Sequence, residues 1–234
     1  MFSHLTGNLD NLLSILDIGL IFFPNKRKVF NQLSSGDGVS LEEPQCQGMI
    51  SFTDIPFEIG GSHREKYGNY GVVLDKNWAI SKGACKVIYV GDRGNVFEAF
   101  KSMFTILAPK IKKTGDVELD SWLNELVRTK PEFSKSVGNN VYPHLLTLHQ
   151  YMQTDEHVSE YEWRMIRPHK SSWSKGMNLS EVKQYYLKAA KSKLIPSLEV
   201  EPSIVKGIIC PSSEKEILLS KLTSKWKNTE IWTH

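Results

Sequence analysis

The sequence predicts an α+β fold in which a mixed sheet is interrupted by a helical insertion. Short apolar or alternating runs of strand length recur at 49–53, 70–74, 86–90, 160–167 and 205–210. Amphipathic segments with a helical period separate them, beginning with Leu9, Leu12, Leu13 and Leu16 at i, i+3, i+4 and i+7. A long stretch, 93–157, is helical throughout its pattern. Strands alternating with helices favour one sheet that helices cover.

The chain opens with a very short apolar strand that delivers His4 and Thr6 into a turn, and a helix follows at once. Asn8 suits its N-cap and Gly19 its C-cap. In Ile21-Phe22-Phe23-Pro24 the proline is expected to stop any ladder. Residues 24–47 are rich in Ser, Gly, Asp and Glu and read as a long loop, a class that often carries function. A strand at 49–53 precedes Pro56, and 58–69 reads as a turn with one helical turn. A strand at 70–74 leads to a short helix from Asp75 through Trp78 and Ile80 to Gly83, then to a strand at 86–90.

Within 93–157, one helix is marked by Val96, Phe97, Phe100, Phe104 and Leu107, and another by Leu119, Trp122, Leu123 and Leu126. Tyr142, Leu145, Leu146, Leu148 and Tyr151 mark a third. Residues 160–167 alternate as a strand, placing Glu160 and Glu162 on one side and Tyr161 and Trp163 on the other. A helix at 180–191, strands at 194–200 and 205–210 separated by Pro202, a helix from Ser212 to Trp226, and a short strand at 230–232 complete the reading. With no internal repeat or low-complexity segment, a single domain over 1–234 is expected.

Composition narrows the function classes. Among 234 residues, 40% hydrophobic and 24% charged content suits a globular protein with a sizeable core. No apolar run approaches the ~20 residues that span a bilayer, and no signal peptide is recognisable, so a cytoplasmic protein without membrane attachment is expected. Cys46, Cys85 and Cys210 are odd in number and lack a CxxC pair, so they read as reduced, buried thiols. A formal charge of +3 is too small to argue nucleic-acid binding by itself. His144 and His149 are five apart and do not share a helix face, so no metal is expected. GxSxG, Walker A and GxGxxG patterns are missing, which sets aside serine hydrolases, P-loop NTPases and Rossmann dehydrogenases.

Two carboxylates on one strand face repel unless a cation or ligand meets them. Glu160 and Glu162 are therefore either part of a site or paired with a nearby Lys or Arg. Arg164 and Arg167 suit a phosphate, or pairing with Glu160 or Asp155. His4 and Thr6, at a strand end beside a helix N-terminus, suit a ribose or phosphate; the alternative is a partly exposed strand end.

Three blocks occur in order: Ser3-His4-Leu5-Thr6 with Asn11-Leu12, Ile15-Leu16 and Gly19-Leu20; Ile50-Ser51-Phe52-Thr53-Asp54-Ile55-Pro56 with His63 and Tyr67-Gly68-Asn69-Tyr70-Gly71-Val72; and Glu160-Tyr161-Glu162-Trp163-Arg164. Together they resemble the AbiGi-type abortive-infection proteins of bacterial anti-phage defence. More distantly, the layout is similar to ADP-ribosyltransferases of the DarT kind.

The second resemblance implies an ADP-ribosyltransferase-like sheet and an NAD-dependent transfer of ADP-ribose to nucleic acid or another macromolecule. Glu162 would then be catalytic, and His4, Thr6, Ser51, Phe52, Arg64, Tyr67 and Tyr70 would bind NAD, with no metal. A carboxylate beside an oxocarbenium-like ribose is the chief chemical requirement of such a step. The AbiGi resemblance implies an alternative: a non-catalytic antitoxin or sensor that binds a toxin from an adjacent gene, or a phage protein, through the 24–47 loop and the 93–157 helices.

Overall fold

In the first helix, Asn8 adopts an extended backbone and its side-chain oxygen accepts from the Asn11 N–H at 2.9 Å, the arrangement an N-cap requires. The helix, α1 (Leu9–Ile18), follows strand β1 (Phe2–Thr6) and ends at Gly19, whose φ of 86° suits glycine. A Cβ there would lie 2.4 Å from the Leu198 carbonyl oxygen. The computed structural model describes residues 1–25, 47–90, 151–167 and 179–234, with positions 99, 121, 144 and 148. Most of the 24–47 loop, the three helices expected within 93–157, and Cys46 lie outside the described residues.

The chain divides into two compact units, one of residues 1–24, 48–87 and 158–234, the other of 25–47 and 88–157. The first holds a sheet with the order β12-β11-β5-β1-β4-β9-β6 among the described residues. Its strands are β4 (Gln47–Thr53), β5 (Tyr70–Leu74), β6 (Cys85–Lys86), β9 (Glu162–Arg167), β11 (Val205–Cys210) and β12 (Ile231–Thr233), with β1 at the centre. β11 and β12 run parallel and the other neighbours on this path antiparallel, so the sheet is mixed, as expected. A two-stranded sheet joins β2 (Leu20–Ile21) to β10 (Ser197–Leu198). In the second unit β7 (Ile88–Val90) pairs in parallel with β8 (Met152–Thr154).

Register assigns the faces. Ser3 lies opposite Thr53, and Thr53 opposite Glu162, so these three side chains share one face. Their neighbours Phe2, His4, Phe52 and Trp163 share the other, where Phe2 meets Phe52 at 5.8 Å and Trp163 at 4.9 Å between ring centroids. That second set faces the core. Leu9, Leu12 and Leu16 of α1, with Leu218 and Leu222 in and after α5 (Lys215–Lys221), are buried against it, each contributing roughly 1.5–3 kcal/mol. Trp226 is buried there too, and its Nε1 donates to the Leu16 carbonyl at 3.1 Å.

Several expected boundaries move, each for a physical reason. Pro24 does not end pairing; it lies within β3 (Phe23–Asn25), which pairs with β4 at the side of the main strand path, where proline is tolerated. The turn at 58–69 contains a full helix, α2 (Gly61–Tyr67), and Asp75 caps α3 (Lys76–Ser81) by accepting from the Trp78 N–H. The 86–90 strand is two strands, because Val87 donates to Glu162 while Ile88 donates to Tyr151. The end of the 93–157 stretch is not helical: it contains β8 and a 3₁₀ segment, Asp155–Glu160.

Helix α4 (Leu179–Lys191) closes with Leu194 N–H on Ala189 O and Lys193 N–H on Ala190 O, with Lys193 at φ 55°. That closure uses the residues expected to begin a strand at 194. The 212–226 helix is α5 between two 3₁₀ turns, since Leu222 turns extended. Cys210 is buried but Cys85, on the two-residue strand β6, is exposed.

Candidate functional site

On the core face a cavity of about 270 Å³ lies among β1, α1, β2 and α4. His4, Thr6, Asn11 and Ser14 form its polar wall, and Ile15, Leu20, Phe23, Met49, Tyr186 and Leu187 line the rest. His4 and Thr6 come together because they are two apart on β1, and the cap at Asn8 starts α1 in time to bring Asn11 and Ser14 alongside. The His4 ring nitrogen Nδ1 lies 2.8 Å from the Ser51 carbonyl oxygen. A carbonyl only accepts, so Nδ1 carries the proton and Nε2 is left as an acceptor. Burial, partly offset by that hydrogen bond, holds the His4 pKa below its ordinary 6.5, so the ring is neutral at pH 7.

The opposite face carries charge. Among the described residues, Ser3, Thr53 and Arg164 are buried there, Arg164 fully, and Glu160 is buried just before β9. Its Nε donates to Glu162 Oε1 at 2.8 Å and its Nη2 to Oε2 at 2.7 Å, a two-point fork between residues two apart on β9. Glu160 precedes the strand. Tyr161 between the two acids has φ 46°, and Thr53 Oγ1 donates to the Glu160 carbonyl at 2.8 Å. The expected alternation of Glu160 with Glu162 is therefore broken by this turn.

Lys66 of α2 reaches Glu160 Oε1 at 2.6 Å. His63, one turn earlier on α2, packs its ring 4.5 Å from that of Tyr67. Burial lowers the His63 pKa, while Glu160 and Glu162 pull it upward and Lys66 opposes them. Tyr67 is pushed up to about 12, mostly by burial and then by its hydrogen bond with Glu160. Each acid thus has a cation from the protein itself, and the network fastens α2 to the end of β9.

The expected site residues divide between these places. His4 and Thr6 line the cavity. Phe52 is buried in the core beside Phe2, and Tyr70, also buried on that face, is raised to about 12 by burial and by Glu214. Ser51 lies opposite Arg164 and shares its face, together with Glu162, and offers the first face only its carbonyl. Tyr67 is on α2. Arg64 donates through Nη1 to the Phe57 carbonyl at 2.6 Å and lies 4.6 Å over the Phe57 ring. The structure therefore places Tyr67 on α2 and Tyr70 on the core face of β5.

NAD does not fit this arrangement as one site. A transferase carboxylate must face the ribose, yet the sheet itself stands between Glu162 and the His4–Thr6 wall. No charged side chain among the described residues lines the cavity to meet a pyrophosphate. The expected alternative, pairing of each acid with a nearby Lys or Arg, is what these contacts show; the sequence did not single out Lys66 or the Glu162–Arg164 fork, and the period-2 rule applied to residues 162 and 164 would have found the latter. Among the described residues no helix is long and apolar enough to cross a membrane.

A family model described as "Putative abortive phage resistance protein AbiGi, antitoxin" matches residues 25–197. Neither a curated protein nor a solved structure matches the chain.

Proposed function

The chain belongs to the AbiGi abortive phage resistance family, described as antitoxins, and from that membership we propose that it binds and silences a toxin encoded by an adjacent gene. The observation that carries this reading is the family match itself. It spans well over half of the chain and takes in nearly all of the 24–47 loop and the whole of 93–157, the two segments proposed as the toxin-binding surface.

The site geometry is consistent with binding rather than transfer. ADP-ribosyl transfer to nucleic acid needs Glu162 free to stabilise an oxocarbenium ion. Both Glu162 carboxylate oxygens bond to Arg164, on the face away from His4 and Thr6. Such a buried fork orders the strand end and costs stability when broken.

The test is expression of the neighbouring gene alone and together with this chain. The antitoxin reading expects growth arrest by the neighbour, relief on co-expression, and co-purification of the two products. Growth arrest by this chain alone, with NAD consumption abolished in a Glu162→Gln chain shown by circular dichroism to be folded, would establish the transferase instead.

A further inference from the structure

We propose that the cavity between α1 and α4 is a binding site for an uncharged, planar heteroaromatic molecule of purine size that presents an N–H donor beside an acceptor. Size comes first. An apolar cavity of about 150 Å³ takes one benzene ring, so about 270 Å³ admits two fused rings.

The walls then set the chemistry. Phe23 and Tyr186 line it with their ring centroids 5.4 Å apart, and Met49 adds a thioether; aromatic faces and sulfur favour a flat π-system. Among the polar lining residues, His4 Nε2 is an acceptor, because Nδ1 is committed to Ser51, and has no protein partner among the described residues. Ser14 Oγ donates to the Asp10 carbonyl at 2.9 Å and so offers lone pairs. Asn11 supplies one amide donor and one acceptor, the pair that reads an adenine edge in two hydrogen bonds. Among the described residues no charged side chain lines the cavity, so that lining favours an uncharged ligand over one that brings a phosphate or carboxylate into contact with it.

This proposal does not rest on the antitoxin reading, since none of the cavity's lining residues falls within 24–47 or 93–157. The experiment is calorimetric titration of the intact, isolated chain with adenine, and with AMP and NAD as charged comparisons. His4→Phe, which keeps the ring but loses the acceptor, and Leu187→Trp, which fills the cavity from α4, are run beside it, with circular dichroism to verify folding. The expected result is saturable adenine binding at least tenfold tighter than that of AMP or NAD. It should weaken tenfold or more in His4→Phe and vanish in folded Leu187→Trp. Absence of adenine binding to the wild-type chain, undiminished binding in Leu187→Trp, or AMP binding as tightly as adenine would each overturn the proposal.

Discussion

Arg164 is fully buried and Glu162 nearly so, with two hydrogen bonds joining them. Removing one partner of such a pair strands a charge away from water, at a cost of about 3–5 kcal/mol, whereas replacing both by apolar residues is often neutral. Glu162→Gln should therefore lower the urea midpoint markedly, and Glu162→Leu with Arg164→Met should recover most of the loss. A Glu162→Gln chain as stable as wild type would show that the fork does not hold the strand end. His4 and His63 make a second prediction at this scale. Both have folded pKa values below the ordinary 6.5 because burial disfavours the imidazolium. The unfolded chain therefore binds protons first as pH falls. Stability should be level above about pH 6.5 and decline as pH drops below it, toward the lower folded values. Denaturation at pH 7.5 and 5.5 measures the slope, which His4→Phe should reduce.

Among the elements, α1 and the turn before β5 are the most sharply specified. Asn8→Ala removes the side-chain acceptor from the Asn11 N–H and should cost about 1 kcal/mol. Gly68 has φ 124°, and a Cβ there would lie 2.1 Å from the Thr6 carbonyl oxygen. Gly68→Ala should cost more, about 2–3 kcal/mol or beyond, measured by the same denaturation curves. Elements built on local signals were legible in the sequence: the Asn8 cap and leucine spacing of α1, the apolar runs of β5 and β11, and Asp75 before α3. The start of β9 was not, because the turn at Tyr161 depends on Thr53 and on Asp54, whose N–H donates to the Tyr161 carbonyl at 3.2 Å. Nor was the division of the candidate site. Period two places Glu162 and Trp163 on opposite faces, but only the register from Ser3 to Thr53 to Glu162 places His4 with Trp163. Register is a long-range property that no short motif carries.

For the whole molecule, the antitoxin reading rests on family membership. The AbiGi match begins at residue 25 and ends at 197. The first unit provides a well-packed sheet with charge locked at one end and a small uncharged cavity on the other face. The most direct measurement is co-purification of the intact chain with the product of its adjacent gene, coupled to growth of cells that express the toxin. The account predicts a stable complex and restored growth, both retained in the Glu162→Leu/Arg164→Met double variant. A chain that neither captures nor neutralises that product, and whose own expression stops growth in a manner dependent on Glu162, would contradict it.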